Sequence, residues 1–139
     1  MEYEEELQHE FHAEKGSFLL QLRIDLFWDH KQLIKILRLM EKCCLDMQEN
    51  SSLPRNWTDG FWYFSTFVEG WSTHPNFPKT YSKKYYEKAY ELIFSMSSWF
   101  FTGRYPWNIK EGFDNAVMNL ERLGDRKFNR FSEEDDLPF

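Results

Sequence analysis

Apolar positions in this chain recur mostly at intervals of three and four, the period of helices with one buried face. Residues 3–14 set Tyr3, Leu7 and Phe11 one turn apart, with Glu4, Glu5, Glu6 and Glu10 on other faces. Acids early in a helix suit the positive end of its dipole. Gly16-Ser17 interrupts. Residues 18–28 read two ways: Leu20, Leu22, Ile24 and Leu26 alternate with Gln21, Arg23 and Asp25 as in a strand. No second segment alternates cleanly enough to pair with it, so the expectation leans to a mostly buried helix, with a short strand as the alternative. Asp29 is an N-cap candidate. After it Leu33, Leu37, Met40, Cys44 and Met47 form a stripe that ends at Asn50-Ser51-Ser52-Leu53-Pro54.

Trp57, Phe61, Phe64, Val68 and Trp71 step by four and three, while Trp62, Tyr63 and Phe67 lie off that seam. A helix apolar nearly all round is predicted to be central, with Thr58 or Asp59 as its cap. Pro75 and Pro78 exclude a helix interior over 71–81, which reads as an ordered aromatic loop. From Ser82 to about Thr102 a further helix sets Tyr86, Ala89, Ile93, Met96 and Phe100 inward, with Tyr85, Leu92 and Trp99 beside them. Gly103 suits its C-terminal cap. The last helix, about 109–123, sets Phe113, Val117, Leu120 and Leu123 inward and ends at Gly124. The expected fold is all-α: a single-domain bundle of about five helices with an aromatic-rich core over 1–124, then an acidic C-terminal tail over 125–139.

Aromatic residues make up 19% of the 139 positions, with 14 Phe, 7 Tyr and 6 Trp. That is more ring surface than one small core requires, so Trp62, Trp107, Phe77 and Tyr105 are candidates for exposure at a recognition surface. Seventeen Lys and Arg against 23 Asp and Glu leave a net charge of -6. That charge disfavours phosphate backbones and anionic lipid and points to a basic protein as partner. No apolar run approaches the roughly 18 residues of a membrane helix, and MEYEEELQHEF lacks the basic start of a signal peptide. The adjacent Cys43 and Cys44 point about 100° apart on a helix, which does not suit a mutual disulfide. Reduced core thiols, and hence a cytoplasmic location, are expected.

Reactive constellations are sparse. His9 and His12 are three apart, whereas a zinc-protease helix sets its histidines four apart, and Ala13 stands where the second would be. A solvated helix face is the simpler reading, and no metal is expected. His30 is expected at the surface. His74, in Trp71-Ser72-Thr73-His74-Pro75, could serve as acid or base beside Ser72 or Cys44 with help from Asp59 or Glu69. With no nucleophile motif or oxyanion-type glycine turn nearby, a structural histidine packed on Trp71 is simpler. The 6 glycines form no phosphate-cradling loop, and no cofactor is expected. By subtraction the chain reads as a binding protein, not an enzyme.

Two stretches carry a resemblance: Asn56-Trp57-Thr58-Asp59-Gly60-Phe61-Trp62-Tyr63-Phe64-Ser65-Thr66-Phe67-Val68-Glu69-Gly70-Trp71-Ser72-Thr73-His74-Pro75, and Tyr85-Tyr86-Glu87-Lys88-Ala89-Tyr90-Glu91-Leu92 followed by Trp99-Phe100-Phe101-Thr102-Gly103. Over roughly residues 18–107 the chain resembles the small helical immunity proteins of bacterial toxin systems, including contact-dependent growth inhibition. The resemblance implies tight one-to-one binding to a cognate toxin, often a basic nuclease, with its active site blocked or a needed surface covered. It transfers no catalytic residue. From charge alone, Glu133, Glu134, Asp135 and Asp136 are the first partner-binding candidates, with Phe131 or Phe139 as anchors, and Glu4, Glu5 and Glu6 come second. A solvated tail is the competing reading of the same acids. The alternative function is a small helical enzyme or ligand-binding protein whose pocket, between the Trp57–Trp71 helix and the Pro75–Pro78 loop, would be lined by His74, Asp59 and Cys44. A subunit of a larger assembly is a third.

Overall fold

A computed structural model describes residues 2–125, and every described element is helical. The helices are α1 (Glu2–Phe11), a short α2 (Phe18–Leu20) running into a π-helical turn (Gln21–Asp25), α3 (His30–Met47), α4 (Arg55–Ser72), α5 (Lys83–Thr102) and α6 (Gly112–Asp125). Residues 18–25 are therefore helical, 26–29 carry no regular structure, and no strand forms among the described residues. The Ser17 side chain caps α2 by accepting the Leu20 N–H at 3.1 Å. Asp29 caps α3 through the Gln32 N–H at 3.1 Å, and Ser82 caps α5 through the Tyr85 N–H at 3.1 Å. Gly103 closes α5 at φ 74°, a left-handed conformation in which a Cβ would also meet the Gln48 carbonyl oxygen.

α5 is the central element, packed against α3, α4 and α6, while α1 lies across α3 and α4. α4 is less enveloped than its all-round apolar pattern suggests: Trp57, Phe61, Phe64 and Val68 are buried, but Trp62 and Trp71 remain exposed. Phe61 stacks on Phe100 of α5 at 4.2 Å between centroids. The buried Phe11 ring touches Trp57, Phe61 and Phe64, and it can do so because position 60 is glycine.

Among the described residues the polar side chains of this interior are paired, except the Gln8 amide, whose buried oxygen and nitrogen find no hydrogen-bond partner. The Glu10 side chain is 2% exposed and accepts the Phe18 N–H at 2.9 Å and the Gln32 amide, tying the turn after α1 to α3. The Tyr85 hydroxyl accepts the Trp28 indole N–H at 2.8 Å and pairs with His30 Nδ1 at 2.6 Å. His30 is thus half-buried rather than a surface group.

Several helix boundaries differ from the periodicity. α4 begins at Arg55 behind Pro54, an extended N-cap whose carbonyl accepts the Thr58 N–H at 3.2 Å, and Thr58 lies inside the helix with its hydroxyl donating to the Arg55 carbonyl at 2.8 Å. α6 begins at Gly112, because the Tyr105 hydroxyl donates to the Lys110 carbonyl and accepts the Phe113 N–H, both at 2.9 Å, which holds the preceding residues in a turn. Gly124 stays helical, against the His30 ring, instead of ending α6.

Candidate functional site

The most unusual local structure is the turn after α2. From Gln21 the hydrogen bonds widen, and the Gln21 carbonyl receives the N–H of both Leu26 and Phe27. Leu26 ends the turn at φ 52°, ψ 38°. A left-handed conformation costs a non-glycine residue about 1–2 kcal/mol, and such strain gathers where it does something. Here it turns Ile24, Leu26 and Phe27 outward, while Leu22 and Trp28 on either side are buried.

The end of α4 completes the surface. The Trp71 indole N–H donates to the Leu22 carbonyl at 3.1 Å, which fixes the ring beside the turn. Trp71 also ends a ladder of stacked rings along α4, with Tyr63 on Phe67 at 5.4 Å and Phe67 on Trp71 at 5.5 Å. Ile24, Leu26, Phe27 and Trp71 are 38–64% exposed. Large apolar side chains held out on a strained turn are what an interaction surface requires and what a monomer's packing does not.

His74 borders this surface. Its Nδ1 accepts the Asn76 N–H at 3.1 Å, and it lines an apolar cleft of about 230 Å³ with Leu26, Trp71, Asn76 and Phe77. That volume lies below the roughly 300–1,000 Å³ usual for small-molecule sites. The other groups expected there are elsewhere. Asp59 is exposed on the first turns of α4, about 20 Å along the helix axis from His74. Cys44 is buried in α3, its thiol against the Met96 carbonyl. Ser72 is buried, hydrogen-bonded to the Tyr90 hydroxyl and the Val68 carbonyl, and Glu69 is exposed on a different face of α4 from Trp71. His74, Asp59 and Cys44 therefore do not form one pocket.

Of the acidic candidates, Glu6 is paired with Lys35, and Glu5 is exposed on the same helix as Glu4. Glu133, Glu134, Asp135, Asp136, Phe131 and Phe139 lie outside the described residues. His9 and His12 flank Glu14, with Nδ1 to carboxylate distances of 3.2 and 3.9 Å. Among the described residues no group of three or more His, Cys, Asp or Glu is placed to hold a metal ion. Cys43 and Cys44 are free thiols, and burial pushes Cys43 up to about 12 and Cys44 further.

Four aromatic residues were singled out for exposure. Trp62 is exposed, Trp107 and Tyr105 are half-buried, and Phe77 is buried, because the proline loop folds its ring inward beneath Lys79. Ile24, Leu26 and Phe27, expected in a mostly buried helix, are exposed instead. Their signal was an apolar surplus: a run from Ile24 to Trp28 broken only by Asp25 cannot all face one core. Phe94 and Phe101 of α5, also exposed, were missed despite lying off its inward seam.

No helix among the described residues is long and apolar enough to cross a membrane. No family model, curated protein or solved structure matches the chain.

Proposed function

We propose that this chain is a binding protein of the immunity kind, which holds a cognate basic toxin domain, a nuclease, in a tight one-to-one complex and so neutralises it in the cytoplasm. The observation that carries the reading is the set of apolar side chains held outward at the π-turn: Ile24, Leu26 and Phe27, with Trp71 anchored beside them. Rigid, pre-positioned rings bind with little loss of conformational freedom and make the energetic centre of an interface. The net charge of -6 supplies long-range attraction to a basic partner. The resemblance over residues 18–107 points to the same class of function.

The test is calorimetric titration of the chain with purified basic nuclease toxin domains, beginning with any that is encoded beside its gene. One-to-one binding is expected, weakened about thirtyfold or more by Phe27→Ala or Trp71→Ala, with circular dichroism reporting that each variant is folded. Binding that is indifferent to both substitutions removes the π-turn from the interface. No binding to the co-encoded domain removes the immunity reading itself.

A further inference from the structure

A second apolar surface lies on the α4/α5 hairpin, on a different face of α4 from the Tyr63–Phe67–Trp71 ladder. The two helices run antiparallel, and their register is fixed by the Phe61–Phe100 stack and by the Ser97 hydroxyl donating to the Phe61 carbonyl at 3.3 Å. Trp62 therefore stands opposite Ser98. Small residues, Ser65, Gly70, Ser97 and Ser98, leave a groove of about 710 Å³ between the helices. Trp62, Phe94 and Phe101 rise around it, 42–71% exposed.

Charge marks the two ends of this groove. Arg55 lies two turns before Trp62 and Glu69 two turns after it, on the same face of α4. Both are exposed, and neither has an ion-pair partner within the described residues. They are about 21 Å apart along the axis, too far to pair with each other.

These positions are self-complementary about a two-fold axis through Trp62 and Ser98. Arg55 is seven residues before Trp62 and Glu69 seven after; Phe94 is four before Ser98 and Phe101 three after. A second copy laid antiparallel on the hairpin, α4 on α4 and α5 on α5, sets Trp62 against its own counterpart. Phe94 then meets the second copy's Phe101, and Arg55 meets its Glu69, each contact occurring twice, as an isologous interface requires. Like charges would face each other if the copies lay parallel.

We infer that this face joins two copies of the chain into a symmetric dimer, built around the Trp62 pair and closed at both ends by Arg55–Glu69 ion pairs. It uses a different surface from the π-turn, so it stands or falls apart from the proposed function.

Sedimentation velocity of the full chain, from about 1 to about 100 µM, tests it. A species of twice the 17.1-kDa chain mass is expected. Trp62→Glu or Phe94→Glu should raise its dissociation constant about a hundredfold or more while the monomer keeps its helical circular-dichroism spectrum, since both side chains are exposed. Arg55→Glu should weaken the dimer several-fold, and Arg55→Glu with Glu69→Arg should restore it. A monomer at every concentration overturns the proposal, as does a dimer indifferent to Trp62 and Phe94. A double charge reversal that fails to restore association rules out the antiparallel two-fold. A monomer that loses a different protein partner on Phe94→Glu gives the groove to that partner instead.

Discussion

Gly60 sets how closely α1 and α4 approach. A Cβ there would lie 2.2 Å from Phe11 Cδ2, and the ring cannot retreat because Trp57, Phe61 and Phe64 surround it. Gly60→Ala should therefore destabilise the protein by about 1–3 kcal/mol through overpacking. Alanine's helix propensity favours it by about 1 kcal/mol, and the clash outweighs that gain. Urea unfolding measures the balance, and a variant as stable as the parent would show that α1 shifts freely. Glu10 makes a different prediction. Burial raises its pKa above the ordinary 4.5, against the lowering effect of its hydrogen bonds from Phe18 and Gln32. A carboxyl raised on folding contributes most when protonated, below its unfolded value, and that contribution is lost as pH rises through the folded value. Wild type should thus lose ground against Glu10→Gln as pH climbs above 4.5. Glu41, also raised by burial, titrates in both backgrounds and cancels in the comparison. Unfolding curves for the pair across the carboxylate range would show it, and a flat difference would refute it.

At the scale of elements, the π-turn separates stability from binding. Leu26→Gly relieves a left-handed strain of about 1–2 kcal/mol and gives up a similar amount of apolar contact with the Trp71 cleft. Its stability should stay within about 1 kcal/mol of wild type while partner affinity falls, as paired denaturation and titration would show. The same turn marks where the sequence stopped being legible. α1, α3 and α5 each carry a single clean seam, and a seam reports burial directly, so their apolar faces are legible, whereas Glu10, which the pattern sets on a polar face of α1, is buried by its bonds to Phe18 and Gln32. The Asp29 cap was readable for the same local reason. In 21–27 the hydrogen-bond register changes, and neither a 3.6-residue nor a two-residue period describes side chains that leave the core together. For α4 an all-round apolar pattern told of many contacts but not which side would lack a neighbour, so Trp62 and Trp71 could not be separated from Phe61 and Phe64 by hydropathy alone. Phe77 went the other way: two prolines announced a loop, and only the fold shows the loop tucking its ring inside.

The whole molecule combines a dense aromatic interior with an acidic charge balance, which act at different ranges. Rings decide the strength of a contact within a few ångströms, whereas a net charge of -6 acts over about a Debye length, some 8 Å at physiological salt. Neutralising Glu133, Glu134, Asp135 and Asp136 should accordingly lower the association rate with a basic partner and flatten its salt dependence, leaving dissociation nearly unchanged. Stopped-flow association across a salt series measures this, and an unchanged rate at low salt would free those acids of the role. The stacked rings of Tyr63, Phe67 and Trp71 have an optical consequence as well. Trp71, held in one orientation by its stack on Phe67 and its hydrogen bond to Leu22, is a chromophore in a fixed asymmetric setting on the candidate surface. A molecule that settles on it changes that setting, and the unlabelled protein then announces its own occupancy in the aromatic region of its circular-dichroism spectrum.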